Sequence, residues 1–308
     1  MAKFFEIRRS NFGRDVFILG KKVLHFAPTK HRLLTRIGRV ERLLEHSLDI
    51  TQLPPVAGWM REIQLANVAI LKEIDRICTA HDIPYWLDAG STLGAVRHGF
   101  IIPWDDDVDL GMLRHDTVRF LDIFNREARW GLKAEHMSSG QYNLIKVRHD
   151  EVPFCNVDIF YYDFYHSRVE SIAERLKLTA TVRKWQKRTT PPKDEEKKRR
   201  LYQAWREQLM EGRTANPADK PDIYIGVEFP VGWAKSIFFD YDDIFPLQRI
   251  RFEGQEFLAP HHTQTYLTYY YGDYMTLPRN ISAPHLNLHD CSLEDIMKIR
   301  AFMAKAES

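Results

Sequence analysis

The chain of 308 residues carries 44 Lys and Arg against 42 Asp and Glu, a net charge of +2, with 44% hydrophobic and 12% aromatic residues. That length and apolar content fit a folded chain with a sizeable core and exclude a disordered one, while the near-neutral balance excludes a chain-wide basic footprint for nucleic acid. Cys78, Cys155 and Cys291 are far apart and in no CxxC spacing, which argues against a disulfide framework or a cysteine zinc site and for a reducing compartment.

Residues 1–55 form a basic N-terminal arm, in which "GKKVLHFAPTKHRLLTRIGRVERLLEH" mixes cations with Leu, Ile and Val. It reads as a helical arm, either a packing arm with a solvated charged face or a basic amphipathic helix making peripheral contact with an anionic membrane. The apolar run "VFILG" is short, and no stretch reaches the roughly 18 apolar residues that span a bilayer. The expectation is a cytoplasmic protein, with the arm a candidate for the inner face of the cytoplasmic membrane.

Residues 56–166 read as a catalytic core. Met60, Ile63, Ala66, Ile70, Ile74 and Ile77 recur at steps of three and four, predicting a helix from Trp59 to Ala80 with one buried stripe. Pro84 blocks its continuation, and "YWLDA" reads as a buried strand ending at Gly90 and Ser91. "DVDLGM" (107–112) alternates apolar and acidic residues, so Asp107 and Asp109 project from one face. Asp116 is placed as the cap of a helix reaching about Trp130. "QYNLIKVRH" (141–149) predicts a strand with Lys146 and Arg148 on one face, and "NVDIFYY" (156–162) another with a single acid, Asp158.

Residues 167–220 change composition to a highly charged helical insertion interrupted at Pro191 and Pro192, a solvated cover or an acceptor-binding lobe. Residues 221–308 return to strands and turns and complete the core and a substrate lobe. "FPLQRIRFEGQEFLAP" predicts a hairpin around Glu253 and Gly254. The aromatic run "TYLTYYYGDYMTLP" (265–278) follows. The class expected is therefore α+β, a mixed sheet flanked by helices with a helical insertion and an N-terminal helical arm.

The acids carry the chemistry. Two carboxylates two residues apart on one strand face repel and raise one another's pKa, and a hard divalent cation, Mg²⁺ or Mn²⁺, removes the conflict. Asp158, inside an apolar strand, is costly to bury unless paired or metal-bound, so Asp107, Asp109 and Asp158 are the candidate metal set if their strands are neighbours. Asp105 and Asp106 stand between joining the site and supporting it. Gly90 and Ser91, in a small-residue turn opening a helix, offer backbone N–H groups and a hydroxyl to phosphate. Lys146 and Arg148 are candidate diphosphate donors or solvent-facing strand cations. Tyr266, Tyr269, Tyr270, Tyr271 and Tyr274, with Trp233, either cage a quaternary ammonium or pack a helix onto the core, the reading that their three and four residue spacing favours. His261, His262, His285 and His289 lack a tight ligand spacing and read as surface or substrate-lobe residues.

"AGS" (89–91), "DVDL" (107–110) and "VDI" (157–159) together resemble the nucleotidyltransferase superfamily pattern hG[GS], Dh[DE]h, h[DE]h. The longer stretch "PYWLDAGSTLGAVRHGFIIPWDDDVDLGM" resembles the LicD family of phosphotransferases, which includes the fukutin-related proteins, and "KVR", "VDIF", "IFPL", "RFEG" and "YLTYYYGDYMTLP" extend the similarity over roughly residues 59 to 290. The resemblance implies a nucleotidyltransferase-like core and transfer of a phosphorylated alcohol from a CDP-activated donor to a sugar hydroxyl of a cell-surface glycan, releasing CMP. Phosphocholine is the foremost cargo, with ribitol or glycerol phosphate next. It implies a metal held by Asp107, Asp109 and Asp158, phosphate contacts at Gly90 and Ser91, and active-site places for Arg97 and His98. Asp158 is also the group placed to accept the hydroxyl proton. Two departures stand out: "RHGFIIPW" replaces the usual "RHKGFIPW", and the zinc-binding cysteines of animal members are missing. The alternatives are a nucleotidyltransferase moving the NMP itself and an inactive glycan-binding scaffold, the latter disfavoured because no acid of the pattern is lost. The implied partners are the CDP-alcohol and a glycan or lipid-linked glycan acceptor, with no nucleic acid.

Overall fold

The computed structural model describes residues 49–139, 142–229, 234–276 and 291–307, together with the backbone of three N-terminal strands. The chain divides into two units, Met1–Ile50 and Thr51–Ser308.

In the first unit, β1 (Phe5–Ser10), β2 (Gly13–Ile18) and β3 (Lys21–Phe26) form an antiparallel meander. This corrects the helical reading of the arm as far as Phe26. The connections at residues 11–12 and 19–20 are short enough for hairpins, and six-residue strands joined this way satisfy one another's backbone groups along the ladder. Residues 27–48, where the rest of the basic amphipathic stretch lies, fall outside the described residues.

The second unit is α+β, built on a seven-stranded mixed sheet. The long helix α1 runs Trp59–Ala80, the span its periodicity predicts, and every residue of the apolar stripe is buried. After it come β4 (Trp86–Leu87), α2 (Ala89–Arg97), β5 (Val108–Leu113), α3 (Arg114–Glu127), β6 (Leu132–Ser139), β7 (Tyr142–His149) and β8 (Asn156–Phe164). Helix α3 starts two residues before Asp116, directly off β5, so Asp116 lies in its first turn and is not its cap. The "YWLDA" strand is also shorter than its composition suggests, because Asp88 caps α2 and takes the chain out of the sheet.

Strand β8 organises the sheet. It pairs in parallel with β5 along one edge and antiparallel with β7 and then β9 (Ile223–Ile225) along the other. Strand β4 flanks β5, β6 flanks β7, and β10 (Phe238–Phe239) flanks β9. Because side chains alternate, Val108, Leu110, Met112, Val157, Ile159 and Tyr161 join one apolar cluster with α1, while Leu113, Phe160 and Tyr162 join a second on the opposite face. The acids of β5 and β8 belong to that second face.

The charged insertion is a helix pair, α4 (Ile172–Arg188) and α5 (Glu195–Met210), broken at the two prolines. It is tied to the core by the buried ion pair of Arg175 with Asp222, 2.8 Å. Helix α6 (Tyr241–Ile244) leads into the hairpin of β11 (Gln248–Phe252) and β12 (Gln255–Ala259), which turns through Glu253 and Gly254, both at positive φ. Helices α7 (Thr263–Tyr271) and α8 (Leu293–Glu307) follow. Among the described residues no helix is long and apolar enough to cross a membrane.

Candidate active site

The parallel pairing of β5 and β8 sets Asp109 directly opposite Asp158 in register. Neighbouring strands lie about 4.8 Å apart, so the two carboxylates share one patch of the sheet face. Asp107 immediately precedes β5 and adds a third acid. Burial, followed by the charges of Asp107, Asp158 and Asp105, pushes the Asp109 carboxyl well above the usual carboxylate range. Upstream, carboxylate oxygens of Asp105, Asp106 and Asp107 lie within 4.8 Å of one another. Asp109 and Asp158 are not members of that close grouping, and Asp107 is the member of it whose charge acts most on Asp109.

Helix α1 holds the acidic loop. Gln64 Nε2 donates to the carbonyl of Asp105 at 2.8 Å, and Asn67 Nδ2 to the carbonyl of Asp106 at 2.8 Å. Asn67 Oδ1 also accepts the N–H of Asn156 at the start of β8, at 2.8 Å. One buried amide therefore links the acidic loop to the strand bearing Asp158. Both residues are fully buried beside the apolar stripe, and a polar amide in that phase of an otherwise apolar helix was the signal that could have singled them out.

The turn of Asp88 to Ser91 is fastened to Asp109 from both sides. Asp88 N–H donates to the carbonyl of Asp109 at 2.9 Å, and the N–H of Asp109 donates to Ser91 Oγ at 2.8 Å. Ala89 sits at φ 39°, a left-handed conformation costly for a residue with a Cβ. The fully buried Asp88 carboxylate holds it there, accepting the N–H of Ala89 at 2.6 Å, the hydroxyl of Tyr162 at 2.8 Å and that of Tyr266. Tyr270 OH reaches Tyr162 OH at 3.0 Å and closes the cluster. Burial raises the Asp88 pKa, and the tyrosine hydroxyls and the Ala89 N–H oppose it. Gly90 lets Asp105 approach closely: a Cβ there would lie 2.9 Å from Asp105 Oδ2 and displace that carboxylate. Sequence reading took Asp88 only as the end of a strand.

The remaining predicted residues separate. Lys146 is opposite Asp158 in the β7–β8 register, and its Nζ lies 2.6 Å from Asp158 Oδ1, which Asn156 Nδ2 also approaches at 3.1 Å. Lys146 therefore compensates an acid of the centre. Arg148 meets Glu135 on β6, at 2.6 Å, in an exposed ion pair. Arg97 and His98 end α2, hydrogen-bonded to each other. Of the tyrosines, Tyr266 and Tyr270 are buried on Asp88, while Tyr269, which meets Arg175, Tyr271 and Tyr274 are partly exposed. His261 and His262 lie at the entry to α7, where His262 Nδ1 meets Asp243 at 3.3 Å; Trp233, His285 and His289 fall outside the described residues.

The donor set suits a hard divalent ion. It is all oxygen, its acids crowd one another, and Asp109 bears a charge penalty that a cation would remove. No histidine or cysteine joins the acidic grouping among the described residues, which speaks against a zinc preference.

Residues 82–194 match the family model described as LicD/FKTN/FKRP, nucleotidyltransferase domain. The chain is 28% identical over 246 residues to the lipopolysaccharide cholinephosphotransferase LicD of Haemophilus influenzae, covering 71% of this chain and 92% of that protein. It is 58% identical over 89 residues to the human ribitol 5-phosphate transferase FKRP, covering 27% of this chain and only 18% of that protein. Among solved structures, terminal uridylyl transferase 4 from Trypanosoma brucei with bound GTP overlaps 40% of this chain and 36% of its own at 13% identity, with a TM-score of 0.25. The matched segment, similar to a LicD/FKTN/FKRP nucleotidyltransferase domain, spans the Asp88–Ser91 turn, the acidic loop and both acid-bearing strands.

Proposed function

We propose that the protein transfers a phosphorylated alcohol, phosphocholine foremost, from a CDP-activated donor to a sugar hydroxyl of a surface glycan, releasing CMP. The observation that carries this is the register of Asp109 against Asp158 beside the Asp88–Ser91 turn, within a chain that aligns with nearly the whole of a cholinephosphotransferase. Asp107, Asp109 and Asp158 would hold Mg²⁺ or Mn²⁺, which would neutralise charge on the diphosphate and the departing CMP. The Gly90 N–H and the Ser91 hydroxyl would orient the phosphate at the start of α2, the Ser91 N–H being already donated to the Asp88 carbonyl at 2.8 Å. Lys146 and Asn156 fix the carboxylate of Asp158, the group that accepts the proton of the attacking hydroxyl. Ribitol or glycerol phosphate is the alternative cargo, and the tyrosines give choline no support, since Tyr266 and Tyr270 are committed to Asp88. The basic arm would bring the enzyme to a lipid-linked acceptor at the inner membrane face.

A nucleotidyltransferase moving the NMP itself uses the same acids. Product analysis separates the two. Label from the alcohol phosphate appearing on the glycan with free CMP supports transfer of the alcohol phosphate, whereas NTP consumption with pyrophosphate release overturns it.

A further inference from the structure

Arg97, the last residue of α2, is 6% exposed. Its Nε donates to His98 Nε2 at 2.9 Å, its Nη1 to the carbonyl of Tyr274 at 2.8 Å, and its guanidinium carbon lies 5.7 Å from the centre of the Trp104 ring. Its Nη2 is buried with no hydrogen-bond partner. Burial pushes its pKa down to about 10, and among the described residues the Tyr271 phenol acts in the other direction. A buried cation without a counter-charge is among the most costly arrangements a fold can hold.

His98 repeats the pattern. Since its Nε2 accepts from the guanidinium, the proton of the neutral ring belongs on Nδ1, and Nδ1 is also buried without a partner. Burial and the Arg97 charge lower the pKa of His98 to about 4, so the ring stays a neutral donor at physiological pH. Two adjacent residues therefore present N–H groups with no acceptor among the described residues. Tyr271 lies within electrostatic reach of Arg97 and of Asp109, Asp105 and Asp107 alike, which sets this positive group near the acidic centre.

We infer that Arg97 and His98 form an anion subsite that takes the non-bridging oxygens of a donor phosphate, the ligand bringing the negative charge. A guanidinium N–H and the imidazole N–H across the ring from it suit separate oxygens of a diphosphate. A diphosphate would then be bracketed between the metal-holding acids and Arg97. The identity of the phosphate rests on the CDP-donor reading; the need for an anion does not.

The test uses the full chain in Mg²⁺, titrated calorimetrically with CDP-choline and separately with inorganic pyrophosphate, with melting curves of each ligand-free variant. Arg97→Met should weaken binding of both at least tenfold and leave the ligand-free melting temperature unchanged or raised, because it removes an uncompensated buried charge. Arg97→Lys should recover part of the affinity, and His98→Phe should weaken it severalfold. Pyrophosphate binding that depends on Arg97, with no binding of any CDP-alcohol, would uphold the subsite and reject the donor reading. Undiminished binding of both ligands by Arg97→Met, a lowered ligand-free melting temperature marking the arginine as a structural prop, or wild type binding neither ligand would each overturn the inference.

Discussion

Replacing Asp109 by Asn should make the ion-free protein more stable while abolishing its response to divalent metal. Two unit charges about 5 Å apart interact by about 3 kcal/mol at an effective dielectric constant near 20. Asp109 faces Asp158 across the ladder and also feels Asp107 and Asp105, while Lys146 offsets part of the Asp158 charge. Partial exposure and salt screening reduce the sum to roughly 2 kcal/mol. A carboxyl whose native pKa is raised binds more protons folded than unfolded, so it costs stability as pH rises above the unfolded value of about 3.9. The advantage of Asp109→Asn should therefore be absent near pH 4 and grow toward pH 8, reaching roughly 4–8 °C at about 2–4 °C per kcal/mol. Mg²⁺ at a hundredfold its Kd should stabilise wild type by about 2.7 kcal/mol, and the variant by little. Thermal melts in EDTA and in Mg²⁺ across that pH range measure all of this. A variant that melts below wild type in EDTA at pH 8, or gains as much from Mg²⁺, would refute the reasoning.

The other predictions address the supports of the site. Asp88→Ala strands the hydroxyls of Tyr162 and Tyr266 in the core and should cost more than 3 kcal/mol in denaturant melts, at about 1–3 kcal/mol per unsatisfied group; Asp88→Asn should cost less. Tyr266→Phe should lower stability without favouring one CDP-alcohol over another, because its ring packs in the core and its hydroxyl serves Asp88; a selective loss for choline would restore the cage reading. Lys146→Met leaves the Asp158 carboxylate without its ion pair and should cut turnover at least tenfold, whereas Arg148→Ala, outside the acidic centre, should change it less than twofold. Burial alone would raise the pKa of Glu73, but ion pairs with Arg76 and Arg129 overcome it and hold the carboxyl at about 2. Its contribution to stability is therefore complete above about pH 4.5 and lost as pH falls toward 2, a loss that acid unfolding of Glu73→Gln should not show.

Where a local pattern has one physical reading, the sequence was legible. The stripe from Met60 to Ile77 could only bury a helix face, and "DVDL" and "NVDIF" could only be strands with an acid on one side. Their adjacency was not legible, because the register of Asp109 with Asp158 is set by a parallel pairing between segments nearly fifty residues apart. Asp88 escaped because its role comes from Tyr162 and Tyr266, 74 and 178 positions away, and Gln64 and Asn67 because the apolar stripe was counted without its polar members. Arg148 shares a strand face with Lys146, but Glu135, its partner, is on the next strand outward. In the N-terminal arm the cations and leucines suggest helical spacing, but Phe5–Ser10, Gly13–Ile18 and Lys21–Phe26 pair as antiparallel strands.

The most direct measurement is CMP release by the purified full chain from CDP-choline, CDP-ribitol and CDP-glycerol, with a glycan acceptor and Mg²⁺ or Mn²⁺. One donor should be consumed with one CMP formed per phosphorus delivered to the acceptor, and the reaction should stop in EDTA and fall at least a thousandfold in Asp109→Ala and Asp158→Ala. Equal turnover by wild type and both variants, or turnover that persists in EDTA, would contradict a metal centre built on the paired acids of β5 and β8.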